Sequence, residues 1–285
     1  MGNGWHEWPL VLFTVLGQCV VGGVIVTGCA WFASSRNSEQ QQRIVRAMFF
    51  LWLLMGIGFV ASMLHLGSPL RAFNSLNRIG ASALSNEIAA GSLFFALGGI
   101  GWLLTLSGRL PAALVKLWLL VTILAGLGFV WAMTRVYQIN TVPTWHTGYT
   151  TLGFFMTVLL GGPLLGAALL SGARYRGTSR RFALLSVLAL LVSAGAALMQ
   201  GVSLGAIHSS VQQASTLVPD YASLQLWRFG LLILGLACWL VPLMRRSAPR
   251  TLTLASGFML VVAAEVIGRG LFYGLHMTVG MAVAG

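Results

Sequence analysis

His65 and Glu87 bound a 23-residue segment, His65-Leu-Gly-Ser-Pro-Leu-Arg-Ala-Phe-Asn-Ser-Leu-Asn-Arg-Ile-Gly-Ala-Ser-Ala-Leu-Ser-Asn-Glu87, that joins two long apolar runs. Imidazole and carboxylate are the side chains best suited to exchanging protons near neutral pH. Ionisable groups at membrane depth are costly, so each is a functional hypothesis by default. The segment is therefore the expected seat of chemistry, and the rest of the chain its frame.

That frame is hydrophobic. Of 285 residues, 57% are hydrophobic and 8% charged, a composition foreign to soluble domains. Mean hydropathy is +0.86. Crossing a bilayer core takes roughly 20 mostly apolar residues in a helix. The continuous, non-alternating runs predict an all-α integral membrane protein with eight spans, at about 9–33, 46–66, 87–107, 114–135, 149–171, 181–203, 224–244 and 252–272. Met1 to Trp8 carries no Lys or Arg, which a secretion signal would have, so the first run reads as a retained helix.

Basic residues orient the chain, because short cytoplasmic loops collect them. Twelve of the 17 fall in the loops after spans 1, 3, 5 and 7: Arg36, Arg43, Arg46, Arg109, Lys116, Arg174, Arg176, Arg180, Arg181, Arg245, Arg246 and Arg250. The opposite side holds five, Arg71, Arg78, Arg135, Arg228 and Arg269. Both termini and the His65–Glu87 loop are thus expected on the periplasmic side. The formal charge of +12 then reflects orientation signals and lipid contacts, and nucleic acid is not an expected partner. Trp5, Trp8, Trp131, Trp145 and Trp227 fall near the outer boundary and Trp31, Trp102, Trp118 and Trp239 near the inner one, with Trp52 deeper, a pattern resembling an aromatic belt.

The five histidines, His6, His65, His146, His208 and His276, all map to the outer side, with Glu7, Glu87 and Asp220. His6 and His146 read as solvated loop residues, whereas His65 ends a span. Three chemistries compete for this cluster. Bis-histidine haem needs ligands at matching depth on facing helices, and no histidine lies inside a span. Zinc needs three or four ligands at fixed spacing, which is absent, and Cys19, Cys29 and Cys238 form no metal or disulfide motif. The third is a pocket for a lipid-soluble two-electron carrier, whose oxidation releases two protons to acceptors such as His65 and Glu87. On spacing alone, Glu87 also reads as a helix-start carboxylate after Ser85-Asn86, favoured by the helix dipole. A transporter or channel is the alternative of another class, argued by the intramembrane Glu265 and Arg269. Against it, the polar residues crowd one side and no convincing repeat relates the halves.

The segments Gly4-Trp-His-Glu-Trp-Pro-Leu10, His65 to Glu87, Thr141-Val-Pro-Thr-Trp-His146, Ile207-His-Ser-Ser-Val-Gln-Gln213, Val218-Pro-Asp-Tyr221 and Gly268-Arg-Gly-Leu-Phe-Tyr-Gly-Leu-His-Met-Thr-Val-Gly280 resemble the membrane-anchor subunit of dimethyl sulfoxide reductases, the DmsC family. Within it the chain resembles the YnfH branch, anchor of a paralogous selenate or dimethyl sulfoxide reductase complex. The resemblance implies a single polytopic domain in a bacterial inner membrane that binds menaquinol, holds no haem or metal, and serves an iron–sulfur subunit and a molybdopterin catalytic subunit on the periplasmic face. His65 and Glu87 match the family's quinol-site positions, and Gly67, Arg71 and Phe73 match the adjoining loop. Arg78 and His208 are candidates for the partner interface, with head-group binding the competing role for Arg71 and Arg78. Asn140 stands where Asp is expected before Thr-Val-Pro-Thr-Trp.

Overall fold

A computed structural model describes residues 3–34, 37–64, 74, 76–175, 177, 180–207 and 214–277. The described residues form α1 (Trp8–Ala33), α2 (Ser38–Ala47), α3 (Phe49–Leu64), α4 (Ala83–Leu106), α5 (Ala112–Tyr137), α6 (Gly148–Gly172), α7 (Arg180–Leu204), α8 (Tyr221–Met244) and α9 (Thr251–Gly274), with short 3-10 turns at Asn3–Glu7 and Ala214–Thr216 and no strand. Eight helical segments are long and apolar enough to cross a membrane, α2 and α3 counting as one.

Two boundaries differ from expectation. The second span begins with α2, a polar helix that buries only Ile44 and Val45. Its charge hides it from a hydropathy reading, yet it is capped by the Asn37 side chain, which accepts from Gln40 N–H at 2.9 Å. A one-residue break at Met48 separates it from α3. The third span starts at Ala83, after Ser82 in extended conformation, four residues before the expected start. Glu87 consequently lies in the second helical turn and is no end-cap.

Helices α1 and α6 form the centre: 83% and 72% of their most apolar windows are buried, against 22–33% in the other six spans. Without water between helices, close backbone approach supplies the attraction. A Cβ on Gly162 would stand 2.3 Å from Gly22 Cα, and one on Gly22 would stand 2.3 Å from Val158 O. Around this pair the packing repeats: α1 packs on α3 and α5 as α6 packs on α7 and α9, while α4 packs on α5 as α8 packs on α9. Pro163 sits within an unbroken, buried stretch of α6 and serves packing. Trp8, Trp131 and Trp227 face outward, as an interfacial belt requires, but Trp31, Trp52 and Trp239 are buried between helices.

Candidate functional site

One end of the bundle gathers the first turns of α4, α6 and α8 with the last turns of α5, α7 and α9. Glu87 lies at this end and is 5% exposed. Its approach is shaped locally: Gly80 holds φ +87°, a left-handed turn that suits glycine, and its N–H donates to Asn86 Oδ1 at 2.6 Å. Asn86 thus braces the loop, and Glu87 is left to turn inward.

Glu87 lies within electrostatic reach of two phenols, Tyr137 at the end of α5 and Tyr273 at the end of α9. Both are buried, and their hydroxyls are 2.5 Å apart. Thr14 of α1 spends its hydroxyl on its own helix, donating to Leu10 O at 2.8 Å. An aromatic shell closes around them. Tyr137 meets Trp145, Phe154 and Phe272 edge-on or tilted at ring-centroid distances of 5.2–5.5 Å. The 138–147 loop is pinned to the end of α9, with Trp145 Nε1 donating to Phe272 O at 2.8 Å and Thr144 Oγ1 to Leu275 O at 2.6 Å. The N-terminal turn packs on the same place, Gly4 lying directly against Gly270 and Gly274.

A second polar cluster continues from the first along one stripe of α9, where Glu265, Arg269 and Tyr273 recur every fourth residue. The Glu265–Arg269 pair read from the sequence needs correction. Glu265 pairs instead with Arg228 of α8, whose Nη2 and Nε donate to Glu265 Oε1 at 3.0 and 3.3 Å, and it accepts from Thr157 of α6 on its other oxygen. Arg269 turns toward Gln18 of α1, donating to Oε1 at 2.8 Å, and lies 3.6 Å from the Phe154 ring centroid. A cavity of about 70 Å³ borders this cluster, lined by Gln200, Tyr221, Gln225, Arg228, Glu265 and Arg269 among others. Small-ligand pockets run to roughly 300–1,000 Å³. The cluster is an ionic tie between α6, α8 and α9.

Of the other site residues anticipated from sequence, Arg78 is exposed at the Glu87 end of the bundle. His65, Gly67, Arg71, Phe73 and His208 lie outside the described residues. His6, His146 and His276 are exposed at the Glu87 end. Among the described residues, no three His, Cys or carboxylate side chains converge as a metal site would require. Tyr137, Tyr273, Gln18 and Arg228 are site residues that the sequence does not single out. Their signal is modest, polar side chains inside apolar runs, and only packing brings them together.

The chain matches a family described as the DMSO reductase anchor subunit (DmsC) over residues 1–275. It is 67% identical over 285 residues to the YnfH subunit of an anaerobic dimethyl sulfoxide reductase of Escherichia coli K12, with 100% of both proteins covered. The C subunit of the anaerobic dimethyl sulfoxide reductase of the same organism is 59% identical over 286 residues, and that of Haemophilus influenzae 42% over 287, again with 100% of both proteins covered. With an eight-span helical body and full-length identity of this order, the chain belongs to the DmsC family of membrane-anchor subunits of anaerobic dimethyl sulfoxide reductases.

Proposed function

We propose that this anchor oxidises menaquinol at the Glu87 end of the bundle and passes the electrons to an iron–sulfur subunit docked there, for use by a molybdopterin catalytic subunit. The observation that carries this reading is the buried Glu87 beside the Tyr137–Tyr273 pair. Only five acidic side chains exist in the chain, and Glu265 is already bound to Arg228. Glu87 is the buried carboxylate left to take a proton.

Quinol oxidation releases two protons with two electrons, so a hydroxyl at the site needs an acceptor as its charge departs. A Glu87 carboxylate oxygen accepts the hydrogen bond of one quinol hydroxyl and then its proton. His65, expected from sequence to share the site with Gly67, Arg71 and Phe73, serves the other. The hydrogen-bonded, buried Tyr137–Tyr273 pair lies within electrostatic reach of Glu87 on the bundle side of the site. The apolar tail remains among the outward faces of α3 and α4. Exposed Arg78, with His208, offers contacts to the docked subunit.

The basic-residue count favours the periplasmic surface for the Glu87 end. Protons are then released on the side where the reductase consumes them, and turnover moves little charge across the membrane. Quinol-dependent reduction in membranes carrying Glu87→Gln or His65→Ala tests the reading. General acid–base groups contribute about 10²- to 10⁴-fold, so turnover falls at least about 100-fold with the complex assembled. Wild-type turnover by an assembled Glu87→Gln complex removes Glu87 from the mechanism.

A further inference from the structure

At the opposite end of the bundle, α2 packs on α6, whose last turn meets the first turn of α9. The arrangement is tied by Gln40 Nε2 donating to Ala173 O at 3.0 Å and by a 2.9 Å hydrogen bond between Ser171 and Thr251 hydroxyls. Between these elements opens a groove of about 570 Å³. Arg43, Arg46 and Arg174 stand on its rim, and Phe50, Ala168 and Leu169 form its wall. We propose that this groove binds one anionic phospholipid, with the arginines on the phosphodiester and an acyl chain against the apolar wall.

Charge accounting supports an anion. Of the five side-chain carboxylates, Glu87 and Glu265 are buried in the bundle, and Glu7 and Asp220 lie at the Glu87 end. Only Glu39 is near the groove, and it pairs with Arg43 on its own helix. Arg46 and Arg174 therefore have no carboxylate to meet among the described residues. Arg174, like Arg246 after α8 at φ 53°, has a left-handed backbone. It sits at φ 54°, in the left-handed region, where it closes α6 with the Tyr175 N–H donating to Leu170 O at 2.9 Å. After α4, the same place is held by Gly108 at φ 70°. The helix dipole favours a cation at this place and accounts for one arginine, not three.

What lies below the groove selects a lipid over a soluble anion. Phe50, Leu53, Ile57 and Val60 are all exposed and recur at helical spacing along α3, making an apolar track that leads from the arginines toward the bilayer core. Trp102, which donates to Val45 O at 2.7 Å, marks the head-group level beside it. Basic pockets between spans at a cytoplasmic surface are where acidic head groups bind.

The test uses the full chain in neutral detergent, with thermal unfolding followed after adding phosphatidylglycerol, phosphatidylcholine or inorganic phosphate. A ligand bound only to the folded state raises its midpoint, and phosphatidylglycerol is expected to add roughly 5 °C beyond phosphatidylcholine, with phosphate adding nothing. Arg46→Gln combined with Arg174→Gly abolishes the difference without lowering the lipid-free midpoint, since glycine relieves the left-handed strain. Arg46→Gln alone, at an exposed position, halves the difference and serves if the double variant misfolds. Native mass spectrometry of the wild type shows one retained phosphatidylglycerol per chain. Equal shifts with phosphatidylcholine, an equal shift with phosphate alone, an undiminished shift in the variants, or a protein subunit covering the groove in the assembled complex overturns the proposal.

Discussion

The hydroxyls of Tyr137 and Tyr273 meet at 2.5 Å and join the last residue of α5 to the last turn of α9, within electrostatic reach of Glu87. The bond ties helices from the first and second halves of the chain at the depth where the proposed chemistry occurs.

Phenylalanine at either position tests this tie. Leaving a buried hydroxyl without its partner costs about 1–3 kcal/mol. Tyr273→Phe orphans the Tyr137 hydroxyl and Tyr137→Phe orphans that of Tyr273, so a comparable loss of thermal midpoint is expected for each. Both variants slow quinol-dependent turnover, measured in membranes against a dye-linked assay of the catalytic subunit that bypasses the anchor.

Glu265 tests a different tie, since Arg228 donates to that carboxylate from both Nη2 and Nε and the pair is largely buried, with side-chain exposures of 13% and 3%. Removing one member of a buried pair costs about 3–5 kcal/mol, because the other charge is left uncompensated. Glu265→Gln is expected to reduce the folded chain recovered in membranes. Adding Arg228→Gln restores part of it. A double variant worse than the sum of the two single ones contradicts a direct pair.

Hydropathy makes the eight spans legible, because each needs only its own run of apolar residues. Glu87 is legible as an ionisable group at a span boundary, but the end-cap reading of it fails. Ser85-Asn86 looks like a cap, while Ser82 and a four-residue earlier start move Glu87 into the helix. The α9 stripe is visible as a four-residue repeat of Glu265, Arg269 and Tyr273. Its partners Arg228, Thr157 and Gln18 sit on three other helices, and no spacing along the chain encodes which helices touch. Packing that repeats between halves without a matching sequence repeat has the same origin. Many apolar side chains satisfy one helix contact, so the geometry persists while its letters drift. Glu87 and Gln225, each the fifth residue of its helix, show one such exchange, of charge for amide.

Gly162 tests the centre of the bundle. Its added Cβ meets backbone atoms of Gly22 at 2.3 and 2.7 Å, and backbone cannot swing away as a side chain can. Gly162→Ala is expected to force α1 from α6 and cost about 1–3 kcal/mol or more, the usual penalty of overpacking. Gly99, with nothing within 4 Å of an added Cβ, is the control. Gly99→Ala leaves the thermal midpoint unchanged or slightly raised, since alanine is the better helix former.

The assignment of faces is tested with a membrane-impermeant thiol reagent. Of the chain's three cysteines, Cys19 is buried midway along α1, Cys238 is half-buried in α8 and Cys29 is exposed near the end of α1, so the labelling is done on a Cys29→Ala background. His146 is exposed at the Glu87 end and Arg109 at the opposite end. With twelve basic residues on one side against five on the other, inverting the protein would carry most of its charge across the bilayer. His146→Cys is therefore expected to label in intact spheroplasts and Arg109→Cys only after permeabilisation. The reverse pattern would move the Glu87 end, and with it the docked reductase, to the cytoplasm. Quinol protons and electrons would then be delivered inside, and the groove of Arg43, Arg46 and Arg174 would face the outer leaflet.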